Sequence, residues 1–525
     1  EGERVLIFGP LTQGKYGVEF RVPHYELLGA STDELFVQRI LPVYRRLGPI
    51  TSKIRSKLIQ DALDAVHPPE DHLPPPLRRG LPDELQALRL LHQPPDDSDL
   101  EALNEGQSLA HQRLIAQELY SFSLGVASRK EKRLRRKGQA VVTSDQLREQ
   151  LRSYLPFTLT PSQRRSFKEI ADDLRSGKVM NRLLQGDVGS GKTIVALLSM
   201  LLAADNGFQS CLMAPTEILA QQHYHGLSEL LKDMGVELAL LTGSTKTAAR
   251  KKIMQGLQDG TLHFVVGTHA VIEEKVQFKN LGFVVVDEQH RFGVAQRAKL
   301  WEKALVPPHI LVMTATPIPR TLAMTAYGDL DYSVMDELPP GRQPITTVHR
   351  NEMMRASVMD FVKTEIEKGR QVYFIYPLIE ESEKLSYEDL MQGYEQVKSF
   401  FPEPNYRISM LHGRQPADQK ETNMARFVKG DTQIMVATTV IEVGVNVPNA
   451  SVMVIESSEK FGLSQLHQLR GRVGRGSEKS FCVLLTGQKV SQFAKERIKI
   501  MCATNDGFLI AEKDLELRGP GDIEG

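Results

Sequence analysis

The chain has 525 residues, enough for several domains, and its 65 basic residues balance 65 acidic ones. This balance argues against a protein that coats nucleic acid through bulk charge, but it is compatible with a local basic groove. The three cysteines lie far apart, and no run approaches twenty apolar residues. These features exclude a disulfide framework, a cysteine metal cluster and a membrane-spanning chain, so we expect a cytoplasmic protein.

The N-terminal part changes from a strand pattern to a helical pattern. Residues 1–50 contain VLIFG, YGVEFRV and ILPVY separated by turn residues, which predicts strands. Residues 51–150 follow a helical pattern with proline-rich breaks, and Ile115, Leu119 and Phe122 fall on one helix face. A flexible linker of this length would be richer in glycine and serine, so we predict a helical connector.

Two series of strand and helix units follow the connector. Residues 151–343 and residues 344–490 each repeat apolar strands separated by helical segments, which predicts two α/β lobes built on parallel sheets. The second series contains five predicted strands, in QVYFIYP, YRISMLHG, TQIMVATT, SVMVIES and SFCVLLT. Residues 491–525 include GFLIAEKDLELRGPGD, which predicts a helix ended by a Gly-Pro-Gly turn.

A phosphate-binding loop is predicted near the start of the first series. GDVGSGKT, at residues 186–193, matches the G-x-x-x-x-G-K-[ST] spacing and lies between an apolar strand and a buried helix. In such loops the backbone N–H groups surround phosphates, the lysine reaches the β- and γ-phosphates, and the hydroxyl binds Mg²⁺. We therefore expect ATP at Gly186, Asp187, Val188, Gly189, Ser190, Gly191, Lys192 and Thr193, with Mg²⁺ on Thr193.

Two carboxylates follow an unbroken apolar run in VVVDEQH, at residues 284–290. Parallel sheets bind ligands at the carboxyl ends of their strands. Asp287 is therefore a candidate Mg²⁺ ligand, and Glu288 a candidate base for the attacking water. An isolated Asp-Glu pair can also be a helix cap or a solvated turn, but the upstream phosphate loop favours the catalytic interpretation.

The second series contributes a basic motif, QLRGRVGR, at residues 468–475. Its spacing places Gln468, Arg472 and Arg475 within about two helical turns. Since arginines stabilise the charge of a phosphoryl transition state, the motif predicts catalytic side chains supplied by the second lobe. The alternative is a basic surface helix, which the two glycines disfavour.

A separate basic run, SRKEKRLRRK at residues 128–137, has seven basic residues and one acidic residue. Two interpretations stay open: a solvated helix face and a contact with duplex phosphates.

These motifs, in this order, resemble the superfamily 2 helicases, and more closely the RecG family of branched-DNA helicases. The resemblance runs from about residue 31 to the end and also rests on LPFTLTPSQRRSF, APTEILAQQH, GTHA, MTATPIPRTLA, ELPPGRQPI, VATTVIEVGVNVPNAS and QLHQLRGRVGRG. It implies two RecA-like lobes of the P-loop NTPase class, preceded by the remnant of an OB-type β-barrel wedge. It also implies that residues 491–525 begin the motif that couples hydrolysis to translocation.

The resemblance implies roles for further residues. Phe157 and Gln163 would contact adenine, with core packing as the alternative for Phe157. Contact with DNA, or its coupling to ATP, is implied for Thr216, Thr268, His269, Thr314, Thr316, Thr438, Thr439, Asp514 and Arg518. Many relatives carry Asp where this chain has Asn446, so Asn446 is assigned no role.

The implied function is an ATP-dependent DNA helicase and double-stranded DNA translocase that reverses stalled replication forks and moves Holliday junctions in recombination and repair. ATP and Mg²⁺ are the implied cofactors, and branched and duplex DNA are the implied partners. Single-strand-binding protein is a candidate partner, and we expect a nucleoid-associated monomer without membrane contact. The sequence starts and stops within family motifs, so both ends are expected to be incomplete.

Two alternative functions stay open. A translocase of the Mfd type, which couples transcription to repair, shares MTATPIPRTL and the C-terminal motif, but Ser190 and Gln289 are atypical for it. A catalytically weak DNA-binding scaffold would keep the fold without turnover, but the intact motif lysine, carboxylates and arginines argue against it. A DEAD-box RNA helicase fits the PIPRTLA segment and the terminal motif poorly.

Overall fold

The computed structural model describes most of the chain, and the described part forms two compact units, Glu1–Gly125 and Val126–Gly525. The described residues are 4–14, 17–20, 24–28, 40, 42–44, 48–50, 52–68, 70–135, 137–142, 144, 157–288, 306–319, 330–339, 342–377, 383–438, 447–476 and 478–518. No helix in these segments is both long enough and apolar enough to cross a lipid bilayer.

The first unit combines two antiparallel strand pairs with helices, as predicted for VLIFG and YGVEFRV. The strand predicted at ILPVY is wrong, because its described residues, 40 and 42–44, lie outside any strand. Its elements are β1 (Arg4–Phe8), β2 (Leu11–Gly14), β3 (Gly17–Phe20), β4 (His24–Leu28), α1 (Ser52–Ala65), α2 (Pro75–Arg78), α3 (Glu84–His92), α4 (Leu100–Asn104) and α5 (Leu109–Leu134), the last of which continues into the second unit. Strand β1 pairs with β4, and β2 pairs with β3. Arg113 of α5 is fully buried and donates a 2.8 Å hydrogen bond to Asp71, which joins α5 to the segment before α2.

The first lobe of the second unit is a seven-stranded parallel sheet with strand order β11-β5-β10-β9-β6-β8-β7. Its elements are α6 (Pro161–Arg175), β5 (Asn181–Gly186), α7 (Lys192–Asp205), β6 (Gln209–Met213), α8 (Glu217–Leu231), β7 (Leu238–Leu241), α9 (Thr247–Asp259), β8 (Phe264–Gly267), β9 (Leu281–Asp287), β10 (His309–Thr314) and β11 (Asp331–Met335). Side chains of β9 alternate between two apolar clusters, Phe283 and Val285 in one and Val284 and Val286 in the other. The unbroken apolar run is therefore a strand covered on both faces, as predicted.

The second lobe is a six-stranded parallel sheet with strand order β12-β17-β16-β13-β15-β14. Its elements are β12 (Thr346–Asn351), α10 (Arg355–Glu367), β13 (Gln371–Tyr376), α11 (Glu383–Phe400), β14 (Ile408–Leu411), α12 (Ala417–Val428), β15 (Ile434–Thr438), β16 (Ala450–Ile455), α13 (Leu463–Arg470), β17 (Phe481–Thr486), α14 (Gln492–Ala503) and α15 (Gly507–Arg518). All five predicted strands are present. The sixth, β12, was not predicted, because its sequence TTVHRN is mostly polar. The structure places it at the edge of the sheet, where its residues are partly exposed.

The basic run at the end of α5 is partly attached to the first lobe. Lys130 Nζ lies 2.6 Å and Arg133 Nη2 lies 2.9 Å from the two carboxylate oxygens of Asp331 on β11. Burial would raise the pKa of Asp331, but these two hydrogen bonds and charges lower it overall. Arg133 also donates to the carbonyl of Asn181 on β5 at 3.2 Å. The buried Arg133 therefore does not belong to a solvated helix face, and with Lys130 it attaches residues 126–134 at the end of α5 to the edge of the sheet.

We expect Arg133→Ala to loosen this edge of the sheet, because the Asp331 carboxylate loses a partner whose side chain is 7% exposed. The free energy of local opening should fall by about 1–3 kcal/mol. Hydrogen–deuterium exchange of peptides covering β5 and β11 measures it. Arg135→Ala is the matched control, because Arg135 pairs with Glu131 at the surface, where the two side chains are 76% and 65% exposed. Equal exchange in the two variants would contradict the anchoring role.

Candidate functional site

The predicted phosphate loop joins the carboxyl end of β5 to the first turn of α7. Gly189 and Gly191 have φ angles of 81° and 89°, in the left-handed region that side chains disfavour. A Cβ on Gly191 would lie 2.3 Å from the amide nitrogen of Gln163, so the close approach also requires glycine. The Ser190 hydroxyl is buried without a hydrogen-bond partner among the described residues. A buried, unsatisfied hydroxyl beside a helix N-terminus fits a site that receives phosphate.

Lys192 lies at the centre of the predicted site. Its ammonium is buried and donates to the carbonyls of Gly186 at 2.7 Å and Asp187 at 2.9 Å. Burial lowers the pKa of Lys192, whereas the carboxylates of Glu288, Asp287 and Asp187 oppose this shift. In this structure the carbonyls of the loop therefore accept hydrogen bonds from the ammonium that is predicted to bind the phosphates.

Asp287 and Glu288 lie at the carboxyl end of β9, as predicted, but their environments differ. His223 of α8 lies 2.7 Å from Asp287 Oδ2, and its hydrogen bond and charge lower the pKa of Asp287 although burial acts to raise it. Burial and the charge of Asp287 instead raise the pKa of Glu288, against the opposing charges of Lys192 and Arg472. A stable carboxylate therefore adjoins one with a higher proton affinity, which suits a metal ligand beside a base.

Glu288 also has unusual backbone geometry. Its φ angle is 52°, in the left-handed region that residues other than glycine rarely occupy. Strain of this kind concentrates at sites where the surrounding structure fixes a side-chain direction.

Helix α13 of the second lobe lies against the phosphate loop of the first lobe. Its His467 Nε2 is 2.7 Å from Asp187 Oδ1, and its Gln468 amide donates to the Thr316 hydroxyl. A Cβ on Gly471 would lie 2.9 Å from the Cβ of Val188, so the two backbones approach closely. The structure therefore joins the two motifs that the sequence separates by about 280 residues.

A cluster of guanidinium groups lies beside the loop. Arg342, in the segment between the lobes, donates to the carbonyl of Val188 and, at 3.2 Å, to that of Gly474. Burial lowers the pKa of Arg475 to about 9, with further contributions from the charges of Arg472 and Arg342. Such a concentration of buried positive charge favours binding of a polyanion.

The predicted adenine contacts occupy different environments. Gln163 is buried at the start of α6, where its side-chain oxygen accepts from the Thr160 N–H at 2.9 Å and its amide donates to the Ser190 carbonyl at 3.0 Å. An amide has spare donor and acceptor capacity beyond these two bonds, so an adenine contact stays a prediction. Phe157 is 44% exposed, so the core-packing alternative for Phe157 is wrong.

The residues predicted to contact DNA fall into two groups. Thr216, Thr268 and Thr314 follow or end the first-lobe strands β6, β8 and β10, and Thr438 ends β15 of the second lobe, all at carboxyl edges. His269 begins a short 3₁₀ segment directly after Thr268. Thr314 instead receives the N–H of Thr316 at 3.2 Å, and the Thr438 hydroxyl is buried. Thr439, Asn446 and the Gly519-Pro520-Gly521 turn lie outside the described residues.

The other group contacts α13 instead. Arg518 Nε lies 2.9 Å from Asp514 Oδ1 on α15, and the Ser464 hydroxyl of α13 donates to Asp514 Oδ2 at 3.1 Å. One end of α13 therefore contacts the predicted translocation motif, and the other contacts the phosphate loop.

Sequence reasoning missed three residues that contact the predicted site residues from outside the motifs. His223, Arg342 and His467 contact the predicted motifs but belong to none of their fixed positions. Weak signals existed: His223 follows Thr216 by two helical turns, and His467 directly precedes the basic motif. Arg342 stands in ELPPGRQPI, which was noted only for the family resemblance.

The donor set fits Mg²⁺ held together with a nucleotide. The described residues contain no group of three or more His, Cys, Asp or Glu side chains that could hold a metal ion. Asp287 offers one carboxylate, with its side chain 13% exposed, and Thr193 one hydroxyl at the start of α7. Mg²⁺ typically binds through one or two carboxylates together with phosphates and water, so such a sparse set is suitable.

Comparisons with known proteins identify both lobes of the second unit. The DEAD/DEAH box helicase model matches residues 160–325, and the helicase conserved C-terminal domain model matches residues 355–477. The ATP-dependent DNA helicase RecG of Aquifex aeolicus is 45% identical over 541 residues, covering 100% of this chain and 67% of that protein. The RecG of Escherichia coli strain K12 is 46% identical over 531 residues, covering 100% of this chain and 76% of that protein.

A solved structure of RecG bound to a three-way DNA junction aligns with a TM-score of 0.76 at 38% identity, over 98% of this chain and 68% of that one. The similarity along the whole of this chain and the two matched helicase domains lead to one assignment: this chain belongs to the RecG family of ATP-dependent DNA helicases.

Proposed function

We propose that this chain is an ATP-driven DNA helicase and double-stranded DNA translocase that remodels branched DNA, reversing stalled forks and moving Holliday junctions. One observation carries the proposal: α13 of the second lobe contacts the phosphate loop of the first lobe. Nucleotide bound between them would contact both lobes, so its hydrolysis would change their relative positions.

The nucleotide would be held by the loop. Its N–H groups and the N-terminus of α7 would face the phosphates, and Lys192 would transfer its hydrogen bonds from the loop carbonyls to phosphate oxygens. Gln163 and Phe157 would contact the adenine. Thr193 and Asp287 would hold Mg²⁺, which supplies charge neutralisation of the phosphates when bound.

Hydrolysis would need groups from both lobes. Glu288, with its raised pKa, would orient the attacking water and accept its proton. Arg472 and Arg475 would stabilise the negative charge that develops on the transferred phosphoryl group. Because these arginines belong to the second lobe, hydrolysis would be fast only when the lobes are closed.

The proposed DNA contacts lie at the carboxyl ends of the strands and on α15. Thr216, Thr268 and His269 would contact the nucleic-acid backbone, together with Thr438 and Thr439. Thr314 and Thr316 would link this face to the nucleotide, since Thr316 already receives a hydrogen bond from Gln468. Asp514 and Arg518 would transmit motion to the DNA.

Branched DNA is the proposed substrate because a RecG relative was solved with a three-way junction and this chain aligns with 98% of its own length to that relative. The antiparallel strands of the first unit are compatible with part of a wedge. The extensive identity to RecG proteins disfavours the Mfd-type alternative. We further propose a monomer acting on nucleoid DNA in the cytoplasm, with single-strand-binding protein as a candidate partner.

Lys192→Ala should lower the kcat of DNA-stimulated ATP hydrolysis by a factor of about 10² or more, because the transferred phosphate loses its buried cation. A coupled phosphate-release assay with forked DNA measures it. Lys232→Ala, at an exposed position after α8, is the matched control. Undiminished hydrolysis by Lys192→Ala would make the site assignment wrong.

Arg475→Ala should reduce kcat by about 10² to 10³ with little change in nucleotide affinity, because the arginine acts on the transition state. Single-turnover hydrolysis and binding of a fluorescent nucleotide separate the two quantities. Arg426→Ala, an exposed arginine of α12 in the same lobe, is the control. A loss of affinity with unchanged kcat would argue against a catalytic role.

ATPase stimulation should be larger with forked and four-way DNA than with duplex or single-stranded DNA of equal length. The comparison must be repeated at several salt concentrations, because phosphate contacts alone make affinity strongly salt-dependent. Equal stimulation by all four DNA forms would contradict a preference for branched substrates.

A further inference from the structure

His467 is buried where the two lobes meet, and both of its ring nitrogens have partners. Its side chain is 5% exposed. Nε2 lies 2.7 Å from Asp187 Oδ1 in the first lobe, and Nδ1 lies 3.0 Å from Arg470 Nη2 in the second. None of the predicted motif positions includes this histidine.

These partners determine which nitrogen carries the proton. A guanidinium can only donate, so Nδ1 of His467 must accept from Arg470. Nε2–H then donates to the Asp187 carboxylate, which also accepts the Val188 N–H at 2.7 Å. The imidazole thus donates to Asp187 and accepts from Arg470.

Arg470 extends the connection within the second lobe. Its Nη1 donates to the carbonyls of Met501 at 2.9 Å and Thr504 at 2.7 Å, which lie at the end of α14. Helix α15 begins three residues later, and a Cβ on its first residue, Gly507, would lie 2.6 Å from His467 Nε2. The imidazole therefore bonds the phosphate loop through Nε2 and is connected to the α14–α15 junction through Arg470.

The hydrogen bonds of Asp187 would change when nucleotide binds to the phosphate loop. Lys192 bonds the Asp187 carbonyl in this structure, and the proposed binding of phosphate draws the ammonium away from it. The Asp187 peptide loses a partner at that moment, while its carboxylate stays bonded to His467. A shift of the Asp187 backbone would therefore also move the His467 imidazole, which is bonded to the Asp187 side chain.

We propose that His467 is a positioning residue that relays the nucleotide state of the phosphate loop, through Asp187 and Arg470, to the α14–α15 junction. The inference rests on the proposed translocase function and adds a defined route between hydrolysis and the helix that carries Asp514 and Arg518. Its role is to couple hydrolysis to movement and not to accelerate hydrolysis itself.

The test compares ATP hydrolysis with DNA movement in the same variants. His467→Ala should keep the fork-stimulated kcat within about 3-fold of wild type, while the number of base pairs moved per ATP falls at least 10-fold. Fork reversal with fluorescent strands, run beside a phosphate-release assay, gives this ratio. His467→Gln supplies one donor and one acceptor again and should recover a substantial part of the ratio.

Two controls keep the result interpretable. His349→Ala removes a histidine whose ring bonds Thr486 of the same lobe, and it should keep the wild-type ratio. Circular dichroism and the thermal midpoint confirm folding; if His467→Ala does not fold, His467→Phe, which fills the volume without hydrogen bonds, replaces it with the same expected ratio.

Two results would overturn the relay. One is a wild-type number of base pairs per ATP in the folded variant that lacks the imidazole. The other is an equal loss of hydrolysis and movement, which would place His467 in the hydrolytic step. Failure of the proposed function is distinct, because the wild-type protein would then show no DNA-stimulated hydrolysis or fork reversal at all.

Discussion

The buried ammonium of Lys192 is the constraint on which the nucleotide site depends. A charge removed from water must be compensated by hydrogen bonds or opposite charges, and here two carbonyls and three nearby carboxylates provide this compensation. The glycines of the loop allow those carbonyls to approach. Phosphate oxygens would accept the same hydrogen bonds, so the proposed binding of nucleotide would exchange the partners of the ammonium and keep its charge compensated.

A cluster of positive charge lies beside the phosphate loop. Burial lowers the pKa of Arg475, and the nearby charges of Arg472 and Arg342 lower it further. Phosphates bound at the loop would offset the repulsion among these charges. Occupation of the site and closure of the lobes would then favour each other, which gives a physical reason for the proposed coupling of hydrolysis to movement.

Motifs with strict local geometry could be predicted from the sequence. The loop of residues 186–193, the carboxylates after β9 and five strands of the second lobe follow from spacing and apolar runs, because backbone geometry dictates those residue types. The polar edge strand β12 could not be recognised from its pattern. His223, Arg342 and His467 act through contacts between distant segments, and no local period specifies such contacts. The ion pairs of Lys130 and Arg133 with Asp331 were missed for the same reason, since a basic run does not reveal its partner.

Strand β12 closes one side of the second sheet with threonine, histidine, arginine and asparagine side chains. Open strand edges can recruit extended segments from other molecules, and polar or charged residues discourage that recruitment. The same polar side chains that kept β12 from being recognised in the sequence therefore discourage this edge from pairing with another copy of the chain.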